Sequence, residues 1–79
     1  MNPNLSVTHV VRTNKTIKID IHTNSVKDMV QDIFYYLQKA FPLGEVSHKK
    51  QKRPNFLYSQ RLVIQFNSDS DAKQFLSTI

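Results

Sequence analysis

The chain has 79 residues, no cysteine, one glycine and a formal net charge of +5 at pH 7. A domain of this size buries only about 60% of its unfolded surface, which leaves little room for a deep active site. The lack of cysteine excludes a disulfide framework and a thiolate zinc site, while a hydrophobic content of 39% with five Phe and three Tyr excludes a disordered tail.

The N-terminal run "MNPNLSVTHVV" has neither the charged start nor the continuous apolar stretch of a signal peptide. No apolar run approaches the roughly 20 residues needed to cross a bilayer. The expectation is a soluble, intracellular protein with no membrane partner, cytoplasmic or, in a eukaryotic setting, nuclear.

The β-branched run "VTHVVR", the turn-forming "TNKT" and the alternating "TIKIDIH" predict a hairpin over residues 7–22. In the second strand Ile17, Ile19 and Ile21 alternate with Lys18, Asp20 and His22, so one face packs and the other is wet. "NSVKDMVQDIFYYLQKAF" follows as a helix whose apolar positions Val26, Met29, Val30, Ile33, Leu37, Ala40 and Phe41 recur at spacings of three and four. Ser25 with Asp28 resembles a capping box, Asp28 and Asp32 suit the positive end of the dipole, Lys39 suits the negative end, and Pro42 stops the helix. Tyr35 lies outside the main stripe.

A short strand around Glu45 to His48 then leads into a basic hairpin loop, residues 48–55, and the chain returns along "FLYSQRLVIQF". Phe56, Tyr58, Leu62, Ile64 and Phe66 share one parity there, the richer face and so the expected core face. "SDSDAKQFLSTI" closes the chain as a helix with Ala72, Phe75, Leu76 and Ile79 on one side. The two strand-to-helix passages echo each other, with Val26, Lys27, Met29, Val30 and Ile33 matched to Ala72, Lys73, Phe75, Leu76 and Ile79, either as a repeated ββα unit or as chance similarity between amphipathic helices. The predicted fold is α+β: one small domain over 1–79, a sheet of about four antiparallel strands with two helices on one face, in the order ββαββα.

No feature predicts catalysis or a cofactor. His9, His22 and His48 form no i, i+4 pair, and no acid completes a ligand set at metal-binding spacing, so no metal is expected. Asp28 and Asp32 lie one helical turn apart, but acids in the first turns of a helix stabilise its dipole. Gly44, the only glycine, builds no phosphate loop, no nucleophile elbow appears, and Ser25, Ser68 and Ser70 sit where helix caps are needed.

The charge is concentrated in "HKKQKRPNFLYSQR". Lys49, Lys50, Lys52, Arg53 and Arg61 give +5 with no anion among them, while the other six cations cancel the six acids. Such a segment offers nothing to a core; it is either a solvated loop or a contact surface for a polyanion. In the second case Lys49, Lys50, Lys52, Arg53 and Arg61 meet acidic side chains or phosphates, and Tyr58 or Phe56 stacks on a base. "KKQK" also passes for a nuclear-import signal.

From Ile17 onward the order is strand, helix, strand, strand, helix, and the first helix ends in "YYLQKAFPLGEVSH". With "AFP" followed closely by "EV", residues 17–79 resemble the DinI family of small bacterial damage-response proteins. That resemblance implies a non-catalytic modulator of a nucleoprotein filament of the recombinase type. The family is typically acidic with acids in its last helix, whereas this chain is basic and has an additional N-terminal strand.

The expectation is therefore a small non-catalytic binding protein that modulates or inhibits a nucleic-acid-processing or nucleoprotein complex, of the phage, mobile-element or damage-response type, through its basic hairpin. Its partner is then an acidic surface of a protein or nucleoprotein complex. The alternatives are direct binding of DNA or RNA by the same segment, and self-association as a homodimer through sheet edges.

Overall fold

A computed structural model of the chain describes residues 6–79. The stretch through Leu5, part of the run read above for a signal sequence, lies outside the described residues. The elements run β1 (Val7–Thr13), β2 (Thr16–Thr23), α1 (Val26–Ala40), β3 (Gly44–Lys50), β4 (Tyr58–Phe66) and α2 (Asp69–Thr78). The four strands form one antiparallel sheet in the order β1-β2-β4-β3, which is the α+β, ββαββα arrangement predicted. Among the described residues no helix is long and apolar enough to cross a membrane.

Alternation in the two central strands separates the faces. Ile17, Ile19 and Ile21 of β2 lie opposite Ile64, Leu62 and Gln60 of β4. Their apolar members, with Phe66, are almost fully buried against Met29 and Ala40 of α1 and Ala72 and Phe75 of α2. Phe66 and Phe75 meet with ring centroids 5.3 Å apart and tilted planes, a favoured aromatic geometry. The other sheet face carries no helix. It presents Lys18, Asp20 and His22 from β2, Arg61 and Val63 from β4, His9 from β1 and Lys49 from β3.

Local chemistry sets the turns and helix starts. Asn14 takes φ 54° in the two-residue turn between β1 and β2, a conformation Asn tolerates better than most side chains. Ser25 caps α1 by accepting a hydrogen bond from the Asp28 amide at 3.3 Å, and Ser68 caps α2 by accepting from Asp71 at 3.1 Å. Gly44 is required by close approach: a Cβ there would stand 2.5 Å from the Gln65 carbonyl oxygen.

The ββα unit is used twice, but in a different alignment from the one the helix sequences suggest. Ser25 and Ser68 hold equivalent cap positions, as do Asp28 and Asp71, so Met29 corresponds to Ala72 and not to Phe75. The same alignment equates Ile19 with Leu62, and these two residues face each other directly in the β2–β4 pairing. A topological two-fold therefore passes between them and relates the two halves.

Helix α1 turns inward only part of the apolar stripe expected of it. Met29 and Ala40 are buried, with Ile33 and Tyr36 packed beside them, whereas Val26 and Val30 are 57% exposed and Phe41 is 85% exposed. The helix has two overlapping apolar stripes, and the core takes the one centred on Met29, Ile33, Tyr36 and Ala40.

Candidate nucleic-acid or protein interface at the basic hairpin

Strand β3 runs on to Lys50, so His48, Lys49 and Lys50 are strand residues and the connection to β4 is residues 51–57, not 48–55. The connection is tied down at several points. The Gln51 amide donates to the Ser59 carbonyl at 2.9 Å, which carries the pairing one step beyond β3. Arg53 to Phe56 then closes a four-residue turn, with the Phe56 amide donating to the Arg53 carbonyl at 3.2 Å. Pro54 occupies the position where its fixed φ suits a type I or II turn. The Leu57 amide donates to Asn24 Oδ1 at 2.8 Å and pins the turn to the entry of α1.

This turn overrides the strand parity read from the sequence. Phe56 precedes β4 and does not join Leu62 and Ile64 on the core face. It stacks on His22 across the helix-free face, with ring centroids 5.6 Å apart and planes 28° from parallel. The His9 ring lies 6.2 Å from His22. Val7, His9, His22, Arg53, Asn55 and Phe56 surround a shallow hollow of about 280 Å³.

His22 is buried, and its Nδ1 lies 3.0 Å from Ser59 Oγ, which is also buried. Burial pushes the imidazole below its ordinary value of 6.5, and the nearby Arg53 and His9 act in the same direction against Asp20. Neither His22 nor Ser59 stands out from sequence alone, because their pairing depends on the β2–β4 register. His9 and His22 meet across adjacent strands, and among the described residues no group of three or more His, Cys, Asp or Glu converges to hold a metal ion.

The six residues singled out from the sequence divide into three groups. Lys49, Lys50, Lys52 and Arg53 are exposed, and among the described residues none of them forms an ion pair. Arg61 is different: its Nε donates to Asp20 Oδ1 at 2.7 Å and a terminal nitrogen donates to Oδ2 at 3.1 Å, a two-point pair across β2 and β4. That hydrogen bonding holds the Asp20 carboxyl below its usual range, against the opposing effect of burial. Arg61 is thus committed within the fold, and this lets it stand directly opposite Lys49 on β3 despite the like charge.

Tyr58 opens β4 opposite the buried Thr23 and is 38% exposed, on the opposite sheet face from Phe56. It shares a shallow hollow with Lys50, Gln51, Leu57 and Gln60. The hairpin end accordingly presents cations on both sides of the sheet, with one aromatic ring on each.

No protein-family model, curated protein or solved structure matches the chain.

Proposed function

We propose that the protein is a small non-catalytic binding protein that modulates a nucleic-acid-processing or nucleoprotein complex, docking on it through the basic end of the β3–β4 hairpin. The observation that carries this reading is a contrast among the cations. Arg12 and Lys73 are matched to Asp69 and Arg61 to Asp20; of the cations that form no ion pair among the described residues, Lys15, Lys18, Lys27 and Lys39 are spread over the first turn, β2 and α1, whereas Lys49, Lys50, Lys52 and Arg53 are clustered at one hairpin end. Unmatched like charges held close together repel one another, and an anionic surface relieves that repulsion on contact. Lys49 and Lys50 are held by the β3–β4 pairing, and the connection that carries Lys52 and Arg53 is anchored by Asn24 and by the Phe56–His22 stack, so little backbone ordering entropy is lost on docking. The resemblance of residues 17–79 to a family of filament modulators points to the same class of partner.

Direct binding of single-stranded nucleic acid is a second reading, favoured by the hollow in which Arg53 lies beside His9, His22 and Phe56. A cation next to aromatic rings suits a phosphate and an unstacked base.

One experiment separates the two readings. Binding of the wild-type chain and of a Lys49→Glu, Lys50→Glu, Lys52→Glu, Arg53→Glu variant is measured on a fluorescent single-stranded oligonucleotide, naked and coated with a recombinase filament, at low and near-physiological salt. Binding to the filament alone, lost in the folded variant, supports the modulator reading. Salt-sensitive binding to the naked strand supports direct recognition. Equal binding by the variant would falsify both.

A further inference from the structure

The geometry points to a second interaction surface, remote in chemistry from the basic hairpin: the exposed apolar stripe of α1, which pairs with the same stripe of a second copy of this chain in antiparallel orientation. Val26 and Val30 are each 57% exposed, Phe34 is 60% exposed and Phe41 is 85% exposed, while Leu37 between them is half-buried. These residues follow one another at three- and four-residue spacing along a single side of the helix. None of them is needed by the core, which uses Met29, Ile33, Tyr36 and Ala40.

Area argues that something covers this side. At their observed exposure the two phenylalanine residues alone leave roughly 300 Å² of mostly apolar surface in water. With the valines and Leu37 the stripe reaches the size at which exposed apolar patches on monomers become functional. A helix-on-helix contact over the stripe and its margins brings about 600 Å² per chain, the lower end of a specific interface.

Two features select a second copy as the occupant. The first is the taper of the stripe: Val26 and Val30 are small, and Phe34, Leu37 and Phe41 are bulky. Antiparallel pairing about Phe34 sets Phe34 on its symmetry mate and lays the small half of one helix on the bulky half of the other. The partner's Val30 then enters the groove lined by Phe34, Leu37, Gln38 and Phe41. Parallel pairing would set bulky on bulky and leave a gap between the valines.

The second feature is charge. Asp28, Asp32 and Lys39 lie on the other side of α1, so the stripe and its margin carry one formal charge, Lys27, beside the uncharged Gln31 and Gln38. Antiparallel pairing brings Lys27 to the C-terminal end of the partner's helix, where the macrodipole favours a cation.

The test is sedimentation equilibrium of the full chain from low to high micromolar concentration, beside Phe34→Glu. The wild type is expected to shift from 9.2 kDa to about twice that mass. Phe34 is exposed, so Phe34→Glu keeps the fold by circular dichroism, and it is expected to weaken association by about thirtyfold or more. Because the chain lacks cysteine, orientation is read by mixing Val30→Cys and Gln38→Cys chains under mild oxidation, with the mixed disulfide expected to exceed either homodimer. A wild type that stays monomeric throughout overturns the proposal. So does a dimer indifferent to Phe34→Glu, which would place the contact on a sheet edge.

Discussion

Phe56 lies stacked on the buried His22, so the aromatic ring that leads the chain into β4 covers the imidazole on which the turn rests. The fold keeps that imidazole neutral, because burial and the Arg53 cation both disfavour the charged form. In the unfolded chain the same group takes up a proton as pH falls below its ordinary value of 6.5. The unfolded state then binds more protons than the native one, so stability is fully present above that value and declines as pH falls through the lower native value. The urea midpoint is expected to be lower at pH 5 than at pH 7, with the difference reduced in His22→Asn. A midpoint that does not move over this range in the wild type would remove His22 as a source of pH dependence.

Asp20 and Arg61 make a different prediction. Replacing Asp20 with Asn removes the anion that separates Arg61 from the repulsion of Lys49 directly across β3–β4. A decrease in Tm of roughly 5 °C is expected. Part of it should return when Lys49→Ala is added, since the like-charge pair is then gone. The carboxylate's contribution is present above its ordinary value of 3.8 and is lost as pH falls through the still lower native value. Strict additivity of the two substitutions would show that Asp20 does not shield Arg61 from Lys49.

Gly44 tests the start of β3. A methyl group at this position meets the Gln65 carbonyl oxygen at 2.5 Å and the Phe66 Cα at 3.2 Å, both backbone atoms that move only if the strands part. Gly44→Ala is expected to cost about 1–3 kcal/mol, the range found when packed sites are overfilled. Hydrogen exchange should localise the loss to Gly44–Ser47 and to their partners on β4. A variant as stable as the wild type in denaturant would show that the sheet end yields freely.

The strands and helix starts were legible because their signals are local. The period-two run from Ile17 to Ile21 and the cap at Ser25 each depend on residues only a few positions apart, and the structure reproduces them. The facing of α1 was not legible in the same way. Its sequence contains two apolar stripes, and only packing against the sheet decides that Met29 and Ile33 turn inward while Val30 and Phe41 stay exposed. At the candidate site the cluster of lysines was readable from composition. The commitment of Arg61 to Asp20 needed the β2–β4 register, and the departure of Phe56 from strand parity needed the Arg53–Phe56 turn. Both are long-range or turn-dependent facts that periodicity does not encode.

The placement of β4 has a consequence for how the molecule meets a charged body in solution. The strand begins beside the lysine cluster and ends just before Asp69 and Asp71, with Glu45 opposite Gln65 near the same far end. Nine residues of strand set the two ends roughly 26 Å apart. That is about three times the screening length at physiological ionic strength, so each end is felt separately by an approaching partner. A polyanion therefore attracts the hairpin end and finds little net charge at the far end, where Arg12, Lys15 and Lys73 offset Glu45, Asp69 and Asp71, and this difference exerts a torque on the protein before any contact forms. The chain arrives already turned, hairpin first, and added salt reduces that advantage through the association rate.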